Sequence, residues 1–154
     1  MTRSVAPWLD APLGEFVRQA RVGLAVALEP SGRVLAQHGF TRSVDVMAVC
    51  SLVAAINASS SELGRQANGD AFGPLHHGGG KRQVFLAPAR AGSGTVLLLA
   101  VFDDRTSLGI VRHFFGAFTQ SLAQVTDSEL ANGPMTGDFE RDLGRNLAVL
   151  FGRA

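Results

Sequence analysis

Apolar residues in this chain recur in two rhythms, one strand-like and one helical. Val22 to Leu28 (VGLAVAL) is a continuous apolar run, and Arg33 to His38 (RVLAQH) alternates. Both read as strands. Glu29-Pro30-Ser31-Gly32 between them makes a turn, because proline presets its second position and glycine tolerates its fourth. Phe72 to His76 and Gln83 to Ala87 predict a second hairpin, turned by Gly78-Gly79-Gly80-Lys81. Thr95 to Phe102 predicts a fifth strand, entered from a Gly92–Gly94 turn. Residues 1–10 read as a loose lead-in.

Elsewhere the spacing is helical. Leu13, Phe16, Val17 and Ala20 predict a short first helix. Val44 to Leu63 predicts a second, weakened by Ser59-Ser60-Ser61 and ended by Asn68-Gly69, with Ser43 placed to cap it and Asp45 favourable in its first turn. A third helix, from about Ser107 to Leu130, carries Leu108, Val111, Phe115, Phe118, Leu122 and Val125 in one stripe. Asn132-Gly133-Pro134 breaks the chain. A final amphipathic helix is expected from about Gly137 to Phe151, with Phe139, Leu143, Leu147 and Leu150 on its apolar face.

The element order α β β α β β β α predicts an α/β protein of the α+β type. Its five-stranded, mostly antiparallel sheet should be covered by helices on both faces. One domain is expected over residues 1–131, with a C-terminal helical extension over 132–154.

The second helix is too apolar for its place in so small a domain. Val44, Val46, Met47, Val49, Cys50, Leu52, Val53 and Ile56, with alanines among them, leave few polar positions. Such a helix needs cover nearly all round. One side can pack on the sheet. A long loop or a partner subunit must cover the other, and a second copy is the preferred reading because homodimers are the commonest soluble oligomers. The small residues Ala48, Ser51, Ala55 and Ser59 would allow a close helix approach.

Composition narrows the classes of function. The 154 residues suit one domain with a well-sized core. With 14 basic and 13 acidic residues and no basic run, no nucleic-acid footprint is indicated. The single cysteine, Cys50, excludes an intrachain disulfide and fits a reducing cytoplasm. The N-terminus lacks an apolar signal core, and the longest apolar run, Val96 to Phe102, is too short to cross a bilayer. A soluble cytoplasmic protein with no membrane association is expected.

Candidate chemistry is sparse, and neither a catalytic group, a cofactor nor a metal is expected. His76 and His77 are adjacent on a predicted strand and should point to opposite faces, a poor arrangement for a shared metal. Gly78-Gly79-Gly80-Lys81-Arg82 resembles part of a phosphate loop. However, Leu75 stands where the first glycine belongs, Arg82 where Ser or Thr belongs, and the context is strand–turn–strand. No serine lies in G-x-S-x-G. Cys50, mid-helix among apolar residues, reads as a small core residue. Asp103-Asp104-Arg105-Thr106 reads as a turn before a helix, with a partner-contact loop as the sharper alternative. Arg42, Arg105 and Arg112 could act on a phosphate in trans, but a plain surface role is preferred.

Val22 to Gly39, the small-residue helix around Ala48 to Ser61, and Leu98 to Arg112 (LLAVFDDRTSLGIVR) resemble, in that order, three segments of the Roadblock / dynein-light-chain superfamily. The likeness spans about residues 13–130. The ending Leu130-Ala131-Asn132-Gly133-Pro134, followed by an amphipathic helix, is similar to the bacterial MglB branch. That resemblance implies a homodimer paired through the second helix. It implies binding to a small Ras-like GTPase of the MglA type, stimulation of GTP hydrolysis without an arginine finger, and a part in bacterial cell polarity or motility, with concentration at a cell pole. The interface residues expected are Asp45, Ala48, Ser51, Leu52, Ala55 and Ser59, with Phe139, Leu143 and Leu147 as a C-terminal partner contact. The alternatives are a non-catalytic dimeric scaffold and a small-molecule sensor or enzyme, the last of which would need a large polar pocket.

Overall fold

Period-two alternation along the strands decides which helix each sheet face receives. The computed structural model describes residues 2–39, 45–70, 73–126 and 130. In chain order these residues form β1 (Thr2–Ser4), a single 3-10 turn (Pro7–Leu9), α1 (Asp10–Ala20), β2 (Leu24–Leu28), β3 (Val34–Gly39) and α2 (Val46–Asn68). They continue as β4 (Leu75–Gly78), β5 (Gln83–Ala91), β6 (Gly94–Phe102) and α3 (Leu108–Ala123). The sheet order is β1-β3-β2-β6-β5-β4, with every neighbouring pair antiparallel. The α+β architecture read from the sequence is what the chain adopts.

The two faces are built differently. Ala25, Ala27, Phe85, Ala87, Ala89, Leu98, Ala100 and Phe102 face α1 and α3. The row of alanines leaves room for two helices that bring phenylalanines to the sheet. Phe16 of α1 meets Phe118 of α3 at 5.9 Å between ring centres, and Phe115 stands edge-on to Phe85 at 5.3 Å. Such pairs add roughly 0.5–1.5 kcal/mol beyond the apolar area they bury. The opposite face carries larger residues, Leu24, Val26, Leu28, Leu86, Leu97, Leu99 and Val101, and among the described residues a single helix, α2, which meets them with Val46, Cys50 and Val53.

Several elements differ from expectation for identifiable reasons. The lead-in is ordered: β1 extends the sheet beyond the five predicted strands by pairing with β3, and Val5, Ala6 and Leu9 bury against the α1/α3 core. Here a backbone ladder and three buried side chains override an unremarkable local sequence. α2 starts at Val46, not Val44, because Asp45 is its N-cap: the carboxylate accepts from Ala48 N at 3.2 Å. Ser43 and Val44 lie outside the described residues. α2 also runs past Leu63 through the serines to Asn68, and Gly69 closes it in the left-handed region at φ +85°. β4 sits later than predicted, at Leu75–Gly78. β5 reaches Ala91, and α3 ends at Ala123 rather than near Leu130. The final predicted helix, Gly137 to Phe151, lies outside the described residues, as do the domain extension 132–154 and Arg42.

Candidate interaction surface

α2 is held on the sheet by one stripe only. Val46, Cys50 and Val53 are buried, Val49 and Asn57 are half-buried, and Gly64 continues the same line at helical spacing. The turn between β2 and β3 braces the helix from the side. A Cβ on Gly32 would stand 3.5 Å from Ala54 Cβ and 3.8 Å from Cys50 O, and Gly32 itself has φ +98°. Glycine is therefore required there for its conformation, while a Cβ would only make ordinary contact with the helix.

The other side of α2 is open and apolar. Leu52 is 64% exposed, Leu63 60%, Met47 46% and Ile56 41%. Ala48, Leu52, Ala55, Ser59 and Leu63 step by three and four along the face away from the sheet, and each is exposed. A row of this kind with small residues between large ones suits knobs-into-holes packing against another helix. Contiguous exposed apolar surface on a folded chain marks an interaction site. The C-terminal turns are polar: Arg65 and Gln66 both bind Glu62, at 3.0 Å each, and hold its carboxyl below the usual range, Gln66 most.

Asp45, Ala48, Ser51, Leu52, Ala55 and Ser59, the residues expected at the interface, are all exposed on α2 or at its cap. Asp45 spends its carboxylate on the helix cap. Met47, Ile56 and Leu63 share the exposure and were missed. Their spacing was visible, but which side of so uniformly apolar a helix meets the sheet was not. Among the described residues α2 is buried along one stripe rather than nearly all round, and no described loop covers its other side. Contrary to the expectation drawn from Val96 to Phe102, Val46–Ala67 is long and apolar enough to cross a membrane by length and composition. Its hold on the sheet through Val46, Cys50 and Val53 suits a packed helix instead. Phe139, Leu143 and Leu147 lie outside the described residues.

The other sequence candidates resolve into local structure. Gly79–Arg82 is a four-residue hairpin loop closed by Gly79 N to Arg82 O at 2.8 Å. His76 turns to Gln83 (2.8 Å) and lies over Phe102. Arg105 folds back on Asp103, with Nε at 3.1 Å and Nη2 at 3.0 Å from its carboxylate oxygens, and holds that carboxyl below its usual range. Ser107, not the Asp103 turn, caps α3 through Ile110 N. The Cys50 thiol is pushed up to about 12 by burial. A thiol so far from ionisation is a packing group rather than a nucleophile. Among the described residues no three His, Cys, Asp or Glu side chains gather as a metal site would need.

One cavity of about 190 Å³ lies at the far end of the α1/α3 face, lined by Val5, Ala6, Trp8, Leu35, Ala91 and Val96, with Leu130 beside them. Glu29 and Arg33, paired at 2.7 Å, stand among its lining groups. It is mostly apolar, unlike the polar pocket that a sensor or enzyme would need.

No protein-family model and no curated protein matches the sequence. Solved structures do match. The chain is similar to an MglB with a tetrameric arrangement (TM-score 0.70, 22% identity, covering 82% of this chain and 93% of that one). It is similar to the gliding protein MglB from Thermus thermophilus (TM-score 0.69, 23% identity, 82% and 93%). It is also similar to a Roadblock/LC7 domain from Streptomyces avermitilis (TM-score 0.62, 18% identity, 73% and 92%). The chain therefore has the Roadblock fold in an MglB-like form.

Proposed function

We propose that this protein is a cytoplasmic homodimer, paired through α2, that regulates a small Ras-like GTPase of the MglA type in bacterial polarity or motility. The observation that carries the reading is the exposed row of large apolar and small residues, Ala48, Leu52, Ala55, Ser59 and Leu63, on an MglB-like fold. Left in water it would be a liability; covered by a second copy it supplies the dimer. The tetrameric arrangement of one similar MglB supports assembly of this kind of chain, and a gliding protein among the similar structures supports the setting.

The mechanism follows from what the surface offers. In this reading the regulator acts by shape rather than by adding a charge to the transition state, and Arg105 is engaged by its own turn. It binds the GTP form better than the GDP form and thereby orders the GTPase's own switch loops. Phe139, Leu143 and Leu147 are the second contact with the GTPase in this reading. The decisive measurement is GTP hydrolysis by the cognate GTPase with and without this protein, alongside binding to its GTP-loaded and GDP-loaded forms. Faster hydrolysis and GTP-selective binding are expected. Binding indifferent to nucleotide, with no rate change, would leave the dimeric scaffold as the function.

A further inference from the structure

Large and small residues on the open face of α2 are ordered. From its N-terminal end the exposed row reads Ala48, Leu52, Ala55, Ser59, Leu63: small, large, small, small, large. Read from the other end, the row is its own complement. Laid antiparallel on a second copy, Ala48 meets Leu63, Leu52 meets Ser59, and the central Ala55 meets itself. Each leucine then enters a gap left by a small residue, and the backbones approach evenly along the row. Parallel pairing sets every residue against its own copy. Leu52 on Leu52 and Leu63 on Leu63 would hold the helices apart and leave voids at Ala48, Ala55 and Ser59, which close-packed interfaces do not tolerate. Antiparallel pairing also opposes the two helix dipoles.

We propose that α2 of a second copy lies antiparallel on this row, in the register that seats Leu63 of each copy on Ala48 of the other and Leu52 on Ser59, with Ala55 at the two-fold axis. This rests on the α2 homodimer proposed above and adds its direction and register. The row is presented in a fixed orientation. Val46, Cys50 and Val53 hold the opposite stripe on the sheet, and the Gly32 turn lies against Ala54. The row spans about 22 Å at 1.5 Å per residue. It ends where the polar cluster of Glu62, Arg65 and Gln66 begins.

Disulfide trapping reads the register in the full-length protein. Cys50 is buried and is the one native cysteine, so the wild type serves as the blank. Two cysteines close only where their Cα atoms come within about 7 Å. Ala55→Cys should form a covalent dimer by itself. Ala48→Cys and Leu63→Cys should each stay unlinked, and their mixture should give the mixed disulfide. A size swap checks the same contact without cysteines. Ala48→Leu sets leucine against Leu63 and should weaken the dimer about tenfold by light scattering. Adding Leu63→Ala to it should restore most of the loss. Self-linked Ala48→Cys or Leu63→Cys without a mixed product, or a swap without rescue, would overturn the register and leave α2 as the interface. A dimer by light scattering that none of the three cysteines traps would overturn the α2 pairing as well.

Discussion

α2 and α3 pack on opposite faces of one sheet and carry comparable apolar content, yet they are used in opposite ways. α3 buries Val111, Phe118 and Leu122 against the sheet and α1, and Ile110 is its one large apolar residue left well exposed. α2 buries Val46, Cys50 and Val53 and leaves Met47, Leu52, Ile56 and Leu63 in the open. The difference lies in the layers above. α3 shares its face with α1, and the two helices cover each other's flanks, whereas among the described helices α2 is the one on its face. The same hydrophobicity is core on one side of the sheet and exposed apolar surface on the other.

The comparison breaks most sharply under truncation of the used stripe. Phe118→Ala should cost about 3–5 kcal/mol, since Phe118 is buried and packs on both Phe16 and Phe115. Chemical denaturation reads this directly, and a cost below about 1 kcal/mol would mean that α3 is not the core helix described. Leu52→Glu on α2 should behave in the reverse way. Light scattering should show the assembled protein reduced to monomer, with the circular dichroism of the fold retained. Persistence of the oligomer at micromolar concentration would remove α2 as the interface.

Smaller effects test how α2 is held. Gly32→Val forces a β-branched residue to φ +98° beside Ala54 and Cys50, and should destabilise by about 1–3 kcal/mol. Asp45→Ala removes the cap on Ala48 N and should cost about 1 kcal/mol, read as a lower thermal midpoint.

The smallest effect is chemical. Burial raises the Cys50 thiol from its ordinary 9.0 to about 12, so the native fold disfavours the thiolate. The unfolded chain ionises first, and the stability Cys50 contributes is present below pH 9.0 and lost as pH rises toward about 12. Cys50→Ala should flatten that alkaline decline in stability. Native protein should also resist alkylation at about pH 8 until denaturant is added, since only the exposed thiolate reacts.

Much of this molecule is written in local pattern. β3 and the α3 stripe follow from residues that alternate or step by three and four, and β2 and β6 from continuous apolar runs that are buried on both faces of the sheet. The turns at Gly32 and Gly79 follow from glycine's tolerance of geometry that other residues resist. β1 was illegible: three residues with no apolar signal become a strand only because the edge of β3 offers them hydrogen bonds. The cavity was illegible as well, since Trp8, Leu35, Ala91 and Leu130 are scattered along the chain and meet only after the sheet has formed.

α2 shows where the boundary falls. The sequence by itself determined that α2 carries more apolar surface than one sheet face can cover. Only the tertiary structure decided that Val46, Cys50 and Val53 turn inward and that Leu52, Ile56 and Leu63 are left outside. A helix apolar on every side has no preferred face of its own. The choice is made by the shape of the sheet beneath it, by the Gly32 turn at its flank and by the cap that fixes where it begins.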